Sequence, residues 1–431
     1  MKIWNARAFG ACTAVWALLS GSNAIAAEVA EPRGALTLAQ ALDTAMKNNP
    51  ELAVSRFELT AAQARVLQAE RRINPEISLE LENFAGSGNT QGTDALESTL
   101  AFSQVIELGG KRDLRRSIAE ADSDLITLDL RAQQLDLLAE VTRRYIELVA
   151  AQERARFADE NASLTQKTLE AIAGRVKAAR SPVAEESRAR IALTRAQIDQ
   201  RQAALALETA RSALSLTWGR VDAQFASATA DLFAFEPLES FESFAAKIER
   251  NPDIARFASD ARLRDAEVRL AQAQVRPDIT LSVGVRNFRD TGDNALVAGF
   301  SMPLAIYDRN PGGIREAQVR RAQSDAQLAA SKTRLMGTLF SIYREAAAAR
   351  ERAEALRSQA LPQARDALAQ TQSGYERGRF SFLELLTSQQ DLLTIGEAAI
   401  DAAADFHRLL AEIERLTSEP LTTQDLEATL P

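Results

Sequence analysis

The chain repeats itself at a spacing of about two hundred residues, which restricts it to folds built from two equivalent units. The segment 42–53 (LDTAMKNNPELA) answers to 244–255 (FAAKIERNPDIA), so that Pro50 pairs with Pro252, and Pro75 pairs with Pro277. Further along, Phe102-Ser103 recurs as Phe300-Ser301, Gly174 as Gly374, Ser181 as Ser381 and Leu216-Thr217 as Leu416-Thr417. Prolines and glycines dictate turns and helix ends, so a duplication that keeps them repeats backbone geometry.

Lys2 and Arg7, an apolar run from Ala8 to Leu19, and Ala24-Ile25-Ala26 have the layout of a secretory signal peptide. Ala24 and Ala26 form the expected A-x-A cleavage site, with a mature start near Ala27. The one cysteine, Cys12, lies inside the apolar run rather than at that site, so lipidation is not expected. The processed chain then has no disulfide and no thiolate metal ligand. No later segment approaches about 18 consecutive apolar residues, so any membrane crossing requires β-strands closed into a barrel. A net charge of −8 weighs against nucleic acid as a partner. Aromatics at only 6%, beside abundant alanine, favour long packed helices with thin side chains.

Each unit opens with a short amphipathic helix, about 37–48 or 240–250. A second helix starts at Pro50 or Pro252, where proline suits the first turn, and ends before Pro75 or Pro277. Strands are predicted over about 76–84, 95–105, 278–288 and 295–304, because apolar and polar residues alternate there. Ile77, Leu79 and Leu81 alternate with Ser78, Glu80 and Glu82, and Ile279, Leu281, Val283 and Val285 with Thr280, Ser282, Gly284 and Arg286. Turn-rich loops (85–94 and 289–294) make each pair a hairpin. Strands of about 9–11 residues match a tilted bilayer crossing. The same alternation also fits an ordinary half-buried sheet.

Very long helices follow. From Leu114 the stripe Ile118, Ala121, Leu125, Leu128, Ala132, Leu135, Ala139, Thr142, Ile146 and Val149 advances by fours and threes. In the second unit Val319, Ala322, Ala326, Ala329, Thr333, Met336, Phe340, Tyr343 and Ala347 do the same. Both helices are read to about 175 and 375, a length on the order of 90 Å. The helices of about 51–73 and 183–217 together match one long helix, so they should stack end to end beside it. The expected shape is a rod, with a hairpin at one end and sharp helix turns at the other. The connector 219–237 is expected to wrap the middle.

Chemistry is absent. His407, the single histidine, reads as a helix-face residue between Phe406 and Arg408. Met46, Met302 and Met336 are too scattered for a thioether site. The many carboxylates lack a partner histidine or phosphate loop and read as solvated coil faces. Basic stretches such as 111–116 suit helix starts at a membrane–water boundary. No catalytic, cofactor or metal site is read, and the chain is not expected to be an enzyme.

Duplicated helix–hairpin–long-helix units behind a signal peptide resemble the TolC-type outer membrane efflux family over essentially the whole mature length. The phrases LTLAQALDTAMKNNPEL (36–52), ELGGKR (107–112) and MPLAIYDRNPGGIREAQ (302–318) resemble its CzcC-like heavy-metal branch. The resemblance implies a mainly α fold with a membrane β-barrel part. Homotrimers are implied, each protomer giving four strands to one 12-stranded barrel on a periplasmic helical tunnel. Four strands alone cannot close a barrel in lipid, so an oligomer is physically demanded. The division expected is signal peptide 1–26, first repeat 27–219, connector 220–239, and second repeat with tail 240–431.

By the same resemblance the protein is the outer-membrane exit duct of a tripartite pump, with no cofactor. A periplasmic adaptor and, through it, an inner-membrane RND proton antiporter are the implied partners. Ala178, Ala179, Arg180, Ser181 and Pro182, with Gly378, Arg379, Phe380, Ser381 and Phe382, are the expected adaptor-contact tips. Matching from Gly378 places Glu384 at an acidic ring of the tunnel entrance, while Thr387 departs from the pattern at the second position. Asp391 lies on nearly the same face and supplies another ring. Tyr375 and Arg379 match positions that lock the closed state. Divalent heavy-metal cations are the expected cargo, with drugs or other organic compounds as the alternative. A periplasmic coiled-coil scaffold or adaptor is the distant one, although an adaptor would carry one helical hairpin rather than two complete units.

Overall fold

The computed structural model describes residues 33–418. The signal segment with Cys12, Ala24 and Ala26, and the tail from 419 on, lie outside the described residues. In chain order the elements are β1 (Gly34–Leu36), α1 (Leu38–Asn48), α2 (Pro50–Ala69), β2 (Glu76–Glu82), β3 (Glu97–Ile106) and α3 (Lys111–Lys177). Then come α4 (Val183–Ser215), β4 (Phe225–Ala228), α5 (Phe241–Lys247), α6 (Pro252–Ala273), β5 (Ile279–Phe288) and β6 (Asn294–Ser301). The chain ends in α7 (Pro311–Ala355), α8 (Leu361–Glu376) and α9 (Phe382–Thr417).

The hairpin strands form one antiparallel sheet in the order β2-β3-β5-β6. Residues directly opposite each other share a face, so the register sorts the side chains. Leu79, Leu100, Val285 and Leu296 lie in one row, and Ile77, Phe102, Val283 and Ala298 in the next. Leu281 and Phe300 continue that face. These large apolar side chains are exposed in the single chain, Leu296 at 84% and Phe300 at 65%. The opposite face carries Glu76, Ser78, Glu80, Glu82, Thr99, Ser103, Ser282 and Arg286. The sheet thus has an uncharged greasy face and a polar one, and the greasy face is not covered by the rest of the chain, unlike that of a half-buried sheet.

The helices form a layer in the same order. α2 and α4 both pack on one side of α3, α6 and α9 pack on its other side, and α7 packs beyond them. Two asparagines make the end-to-end stacking. Asn49 caps α2 by accepting from the Leu52 amide at 2.9 Å, and its Nδ2 donates to the Thr217 carbonyl at 2.8 Å. Asn251 caps α6 and donates to the carbonyls of Leu416 at 2.9 Å and Arg415 at 3.2 Å. Each asparagine thus satisfies orphan groups of two helices at once.

Three expectations need correction. The backbone landmarks of the last helices repeat at 199 rather than 200: the left-handed residues Ala179 and Gly378, the N-caps Pro182 and Ser381, and the left-handed C-caps Gly219 and Ser418. The identity matches Gly174–Gly374, Ser181–Ser381 and Thr217–Thr417 are therefore one residue out of structural register. The second long helix runs in helical backbone from Pro311 to Glu376, as read, but it is not α-helical throughout, because a π-turn at Leu356–Ala360 lies between α7 and α8. Pro362 follows it, and a residue without an N–H forces the hydrogen-bond ladder to reroute. Finally, the 3-4 stripe read on α7 is not its buried seam. Val319, Met336 and Phe340 are exposed, whereas Leu339, Ala346 and Ala353 on an adjacent face are buried.

A belt wraps the middle of the rod. β1 pairs in parallel with β4, which sequence patterning did not anticipate because both are so short. The Tyr145 hydroxyl lies within 3.0 Å of the Leu36 carbonyl and 2.9 Å of that of Thr229. Gln152 pairs with both backbone groups of Ala228, donating at 3.0 Å and accepting at 2.6 Å. His407 sits in this belt, its Nε2 3.0 Å from the Leu232 carbonyl and its ring stacked on Phe235.

Candidate functional site

The rod has two ends, the sheet and the helix turns. At the turn end both loops close by the same geometry. The Arg180 amide donates to the Arg175 carbonyl at 2.8 Å, and the Arg379 amide to the Gly374 carbonyl at 2.8 Å. Each turn holds one left-handed residue, Ala179 with φ 55° and Gly378 with φ 73°. Glycine takes that conformation freely, while alanine is strained by its Cβ.

The two turns of one chain are tied together. The Tyr375 hydroxyl donates to Glu185 Oε2 at 2.9 Å and lies 3.4 Å from Ser181 Oγ. The Arg175 guanidinium lies 4.8 Å from the Tyr375 ring centroid. It also donates to Ser181 Oγ at 3.2 Å and to the Glu376 carbonyl at 3.0 Å. Beneath this latch Ile172, Ala189, Leu368, Phe382 and Leu385 pack with Tyr375 in a small core shared by α3, α4, α8 and α9. Burial pushes the Tyr375 phenol up, so it stays protonated and able to donate. Sequence reading singled out Tyr375 and Ser181 but missed Arg175 and Glu185, since nothing local marks residues that meet across two repeats.

The other expected residues fall as follows. Glu384 folds back on its own helix cap, accepting from the Ser381 amide at 2.6 Å and the Ser381 hydroxyl at 2.8 Å. The Glu384 amide in turn donates to Ser381 Oγ at 3.3 Å, completing a capping box. The Ser-x-x-Glu spacing gave that signal in the sequence. The Ser381 amide holds the exposed Glu384 carboxyl below its usual range, with help from the hydroxyl. Asp391 is exposed two turns along, on a strip of α9 with Thr387 and Thr394. The exposed Arg379 side chain makes no hydrogen bond or ion pair within the described residues. Ala178, Ala179, Arg180, Pro182, Gly378 and Phe380 are exposed around the turns, whereas Phe382 is buried in the core beneath. Val183 and Leu383 add apolar surface, 69% and 62% exposed.

Two of the phrases behind the heavy-metal resemblance lie elsewhere, at the joints between strands and long helices. In 107–112 the N-cap of α3 is Gly110 with φ 71°. Asp278 braces this joint from the second repeat, accepting from the Leu108 amide at 2.9 Å and Lys111 Nζ at 2.8 Å. In 302–318 the N-cap of α7 is Asn310 with φ 54°, whose Nδ2 donates to the Ala271 carbonyl at 3.0 Å. Both phrases thus supply helix N-caps and bracing contacts at the joints between sheet and rod. Among the described residues no group of three or more His, Cys, Asp or Glu is placed to hold a metal ion.

Comparison with known proteins agrees with this architecture. The family model described as "Outer membrane efflux protein" matches residues 41–220 and 246–419. The cobalt-zinc-cadmium resistance protein CzcC of Cupriavidus metallidurans is 28% identical over 92% of this chain and 93% of its own length. The nickel-cobalt-cadmium resistance protein NccC of Alcaligenes xylosoxydans is 25% identical over 74% of this chain and 70% of its own length. Among solved structures, the outer membrane protein VceC of Vibrio cholerae has the same fold, with a TM-score of 0.73, 19% identity, and coverage of 89% of this chain and 96% of that one.

Proposed function

The chain belongs to the outer membrane efflux protein family, in its CzcC-like branch, and from that premise we propose that three copies form the exit duct of a tripartite RND-type efflux system. Members of this family are channels in the outer membrane rather than enzymes, and the proposed cargo is divalent cations of the cobalt, zinc and cadmium kind.

The observation that carries the assembly is that sheet and rod stop at the same two edges. β2 and β6 are the free strands, and the helices that continue them, α2 with α4 on one side and α7 on the other, are the free helices. Both free helical edges are greasy. Ile191, Ile198 and Leu205 recur every seven residues on α4, Val54 and Phe57 extend that edge on α2, and Val319, Met336 and Phe340 face out from α7. Seams spaced by sevens and by threes and fours are what coiled-coil partners bury. Joining the α7 edge of one copy to the α2/α4 edge of the next also brings β6 beside β2. Three such steps give a 12-stranded barrel with its apolar face to lipid.

In that trimer six turns ring one end of the rod and offer apolar side chains to a periplasmic adaptor. The latch between Tyr375, Arg175 and Glu185 holds the turns closed, and Arg379 is free to pair across protomers. Glu384 and Asp391, each repeated three times, favour cations at the entrance. CzcC and NccC carry metals in their names, which supports the cargo.

The test is a deletion strain challenged with zinc, cobalt, cadmium and a panel of organic toxicants. Sensitivity to the metals, restored by the wild-type gene, is the expected result. Sensitivity to organic compounds alone would move the reading to drug efflux. Cysteine at Ser181 or Ser381 should crosslink to the adaptor, while cysteine at Asp94 in the distal loop should not.

A further inference from the structure

The polar face of the sheet carries charge almost entirely of one sign. Glu76, Glu80, Glu82 and Glu97 lie on it, against one cation, Arg286. That arginine has partners on two neighbouring strands. Its Nη1 donates to Glu97 Oε2 at 2.9 Å, its Nη2 lies 3.0 Å from Glu82 Oε2, and its Nε donates to Thr99 Oγ1 at 2.9 Å. The side chain thus reaches from β5 over β3 to β2, and Asn83 steadies Glu97 by donating to its other oxygen at 2.8 Å. Glu82 and Glu97 are the last pair before the first hairpin loop, so the clamp sits at the hairpin end of the sheet, farthest from the rod.

We propose that Arg286, clamped by Glu82 and Glu97, is a specificity-determining residue of the duct's outer mouth. This rests on the reading that three copies close with the polar face inward. The guanidinium donates to Glu97 and Thr99 and ion-pairs with Glu82, so its charge is cancelled; with Glu80 in the same row as Arg286, two negative charges per chain are left over at this end of the face. Three copies give a ring that concentrates cations and repels anions. Glu82→Gln with Glu97→Gln neutralises the mouth, because it leaves each Arg286 opposed only by Glu80. Arg286→Gln does the reverse and leaves nine uncompensated carboxylates, Glu80, Glu82 and Glu97 from each of three copies.

The experiment reads the mouth without depending on the closed turns at the far end. The natural cysteine, Cys12, lies in the segment expected to be removed, so a cysteine at Ser78, deeper on the polar face of β2, can be reported alone. Intact cells are treated from outside with a trimethylammonium or a sulfonate methanethiosulfonate reagent, and the ratio of their modification rates is measured. A ratio above one is expected, falling roughly tenfold in the Glu82→Gln/Glu97→Gln variant and rising in Arg286→Gln. A ratio that stays fixed in both variants, or moves the same way in both, overturns the clamp as a charge filter. A different failure marks the trimer reading. If neither charged reagent reaches Ser78→Cys, while a membrane-soluble maleimide labels it as readily as Leu79→Cys, the polar face does not line a water-filled lumen.

Discussion

The two long helices began as copies and now do different work. Counted from their starts at Lys111 and Pro311, α3 carries Asp122, Asp129 and Asp136 where α7 carries Ala322, Ala329 and Met336. On α3 these acids pair inside the chain, with Arg65 of α2 at 3.4 Å, Arg256 of α6 at 3.3 Å, and Arg415 of α9. On α7 the matching positions are apolar and uncovered. Flanked on both sides, α3 can use charge pairs as register marks. At the edge of the chain, α7 keeps a greasy seam that its own chain leaves uncovered. On the proposed assembly, a duplicated unit becomes able to join its own copies when a single face of one repeat changes polarity.

The sharpest way to break this comparison is on the sheet, where the repeats should behave alike. Leu79→Arg and Leu281→Arg place a charge on the outward face in either repeat, and each should cost about 2–4 kcal/mol if it lies near the bilayer midplane. Ser282→Arg, on the polar face, should cost far less. Heat-resistant trimer yield from outer membranes measures all three, and equal losses would mean that the faces are misassigned.

The helices should then behave differently. Phe340→Asp on α7 and Ile198→Asp on α4 each remove a side chain from the proposed seam, worth about 2 kcal/mol per interface. Trimer should give way to monomer on sizing columns, with helix content unchanged. Gln133→Ala and Glu140→Ala, on the α3 positions that match Thr333 and Phe340, should leave assembly intact. A monodisperse wild-type monomer that resists heat as a folded barrel would remove the premise.

Much of this was legible because the repeats carry their punctuation with them. Pro50 and Pro252 open helices, Pro75 and Pro277 precede strands, and strict alternation fixed the strand faces. Periodicity failed on α7 because the helix is apolar along two adjacent stripes, one for its own chain and one uncovered in it. Pattern alone cannot tell which is buried at home. The one-residue slip between identity and backbone register arose likewise. Ser181 and Ser381 look equivalent, yet Ser381 caps a helix while in the first repeat Pro182 takes that place. Arg175 and Glu185 were illegible because their partner Tyr375 lies in the other repeat.

The turns sharpen the comparison at smaller scale. Gly378→Ala puts a Cβ on a left-handed residue and should destabilise the second turn by about 1 kcal/mol. Ala179→Gly relieves the same strain in the first and should be neutral or slightly stabilising, because glycine's entropy offsets part of the gain. Proteolytic nicking at each turn under native conditions reads both. If both substitutions weaken their turns equally, the conformations of Ala179 and Gly378 are not the controlling difference.

The smallest effect expected is a pH dependence confined to one repeat. His407 on α9 grips the connector through the Leu232 carbonyl, whereas the α4 residue 199 positions earlier, Glu208, is exposed. Burial pushes the His407 imidazole below its usual range, and the Leu232 contact and the nearby Asp231 and Glu236 offset this only in part. Above the ordinary histidine value, about 6.5, both folded and unfolded chains hold it neutral and stability is flat. As the pH falls through that value the unfolded chain takes up the proton first, so stability declines until the folded imidazole also titrates. His407→Gln can still donate to Leu232 but cannot titrate, so it should flatten the loss of thermal stability between about pH 7 and pH 5, where histidine charges. Glu208→Gln should leave the slope as it is. An unchanged slope in His407→Gln would mean that the belt is held by contacts such as those of Tyr145 and Gln152, and that the histidine is a passenger on the face it stacks against.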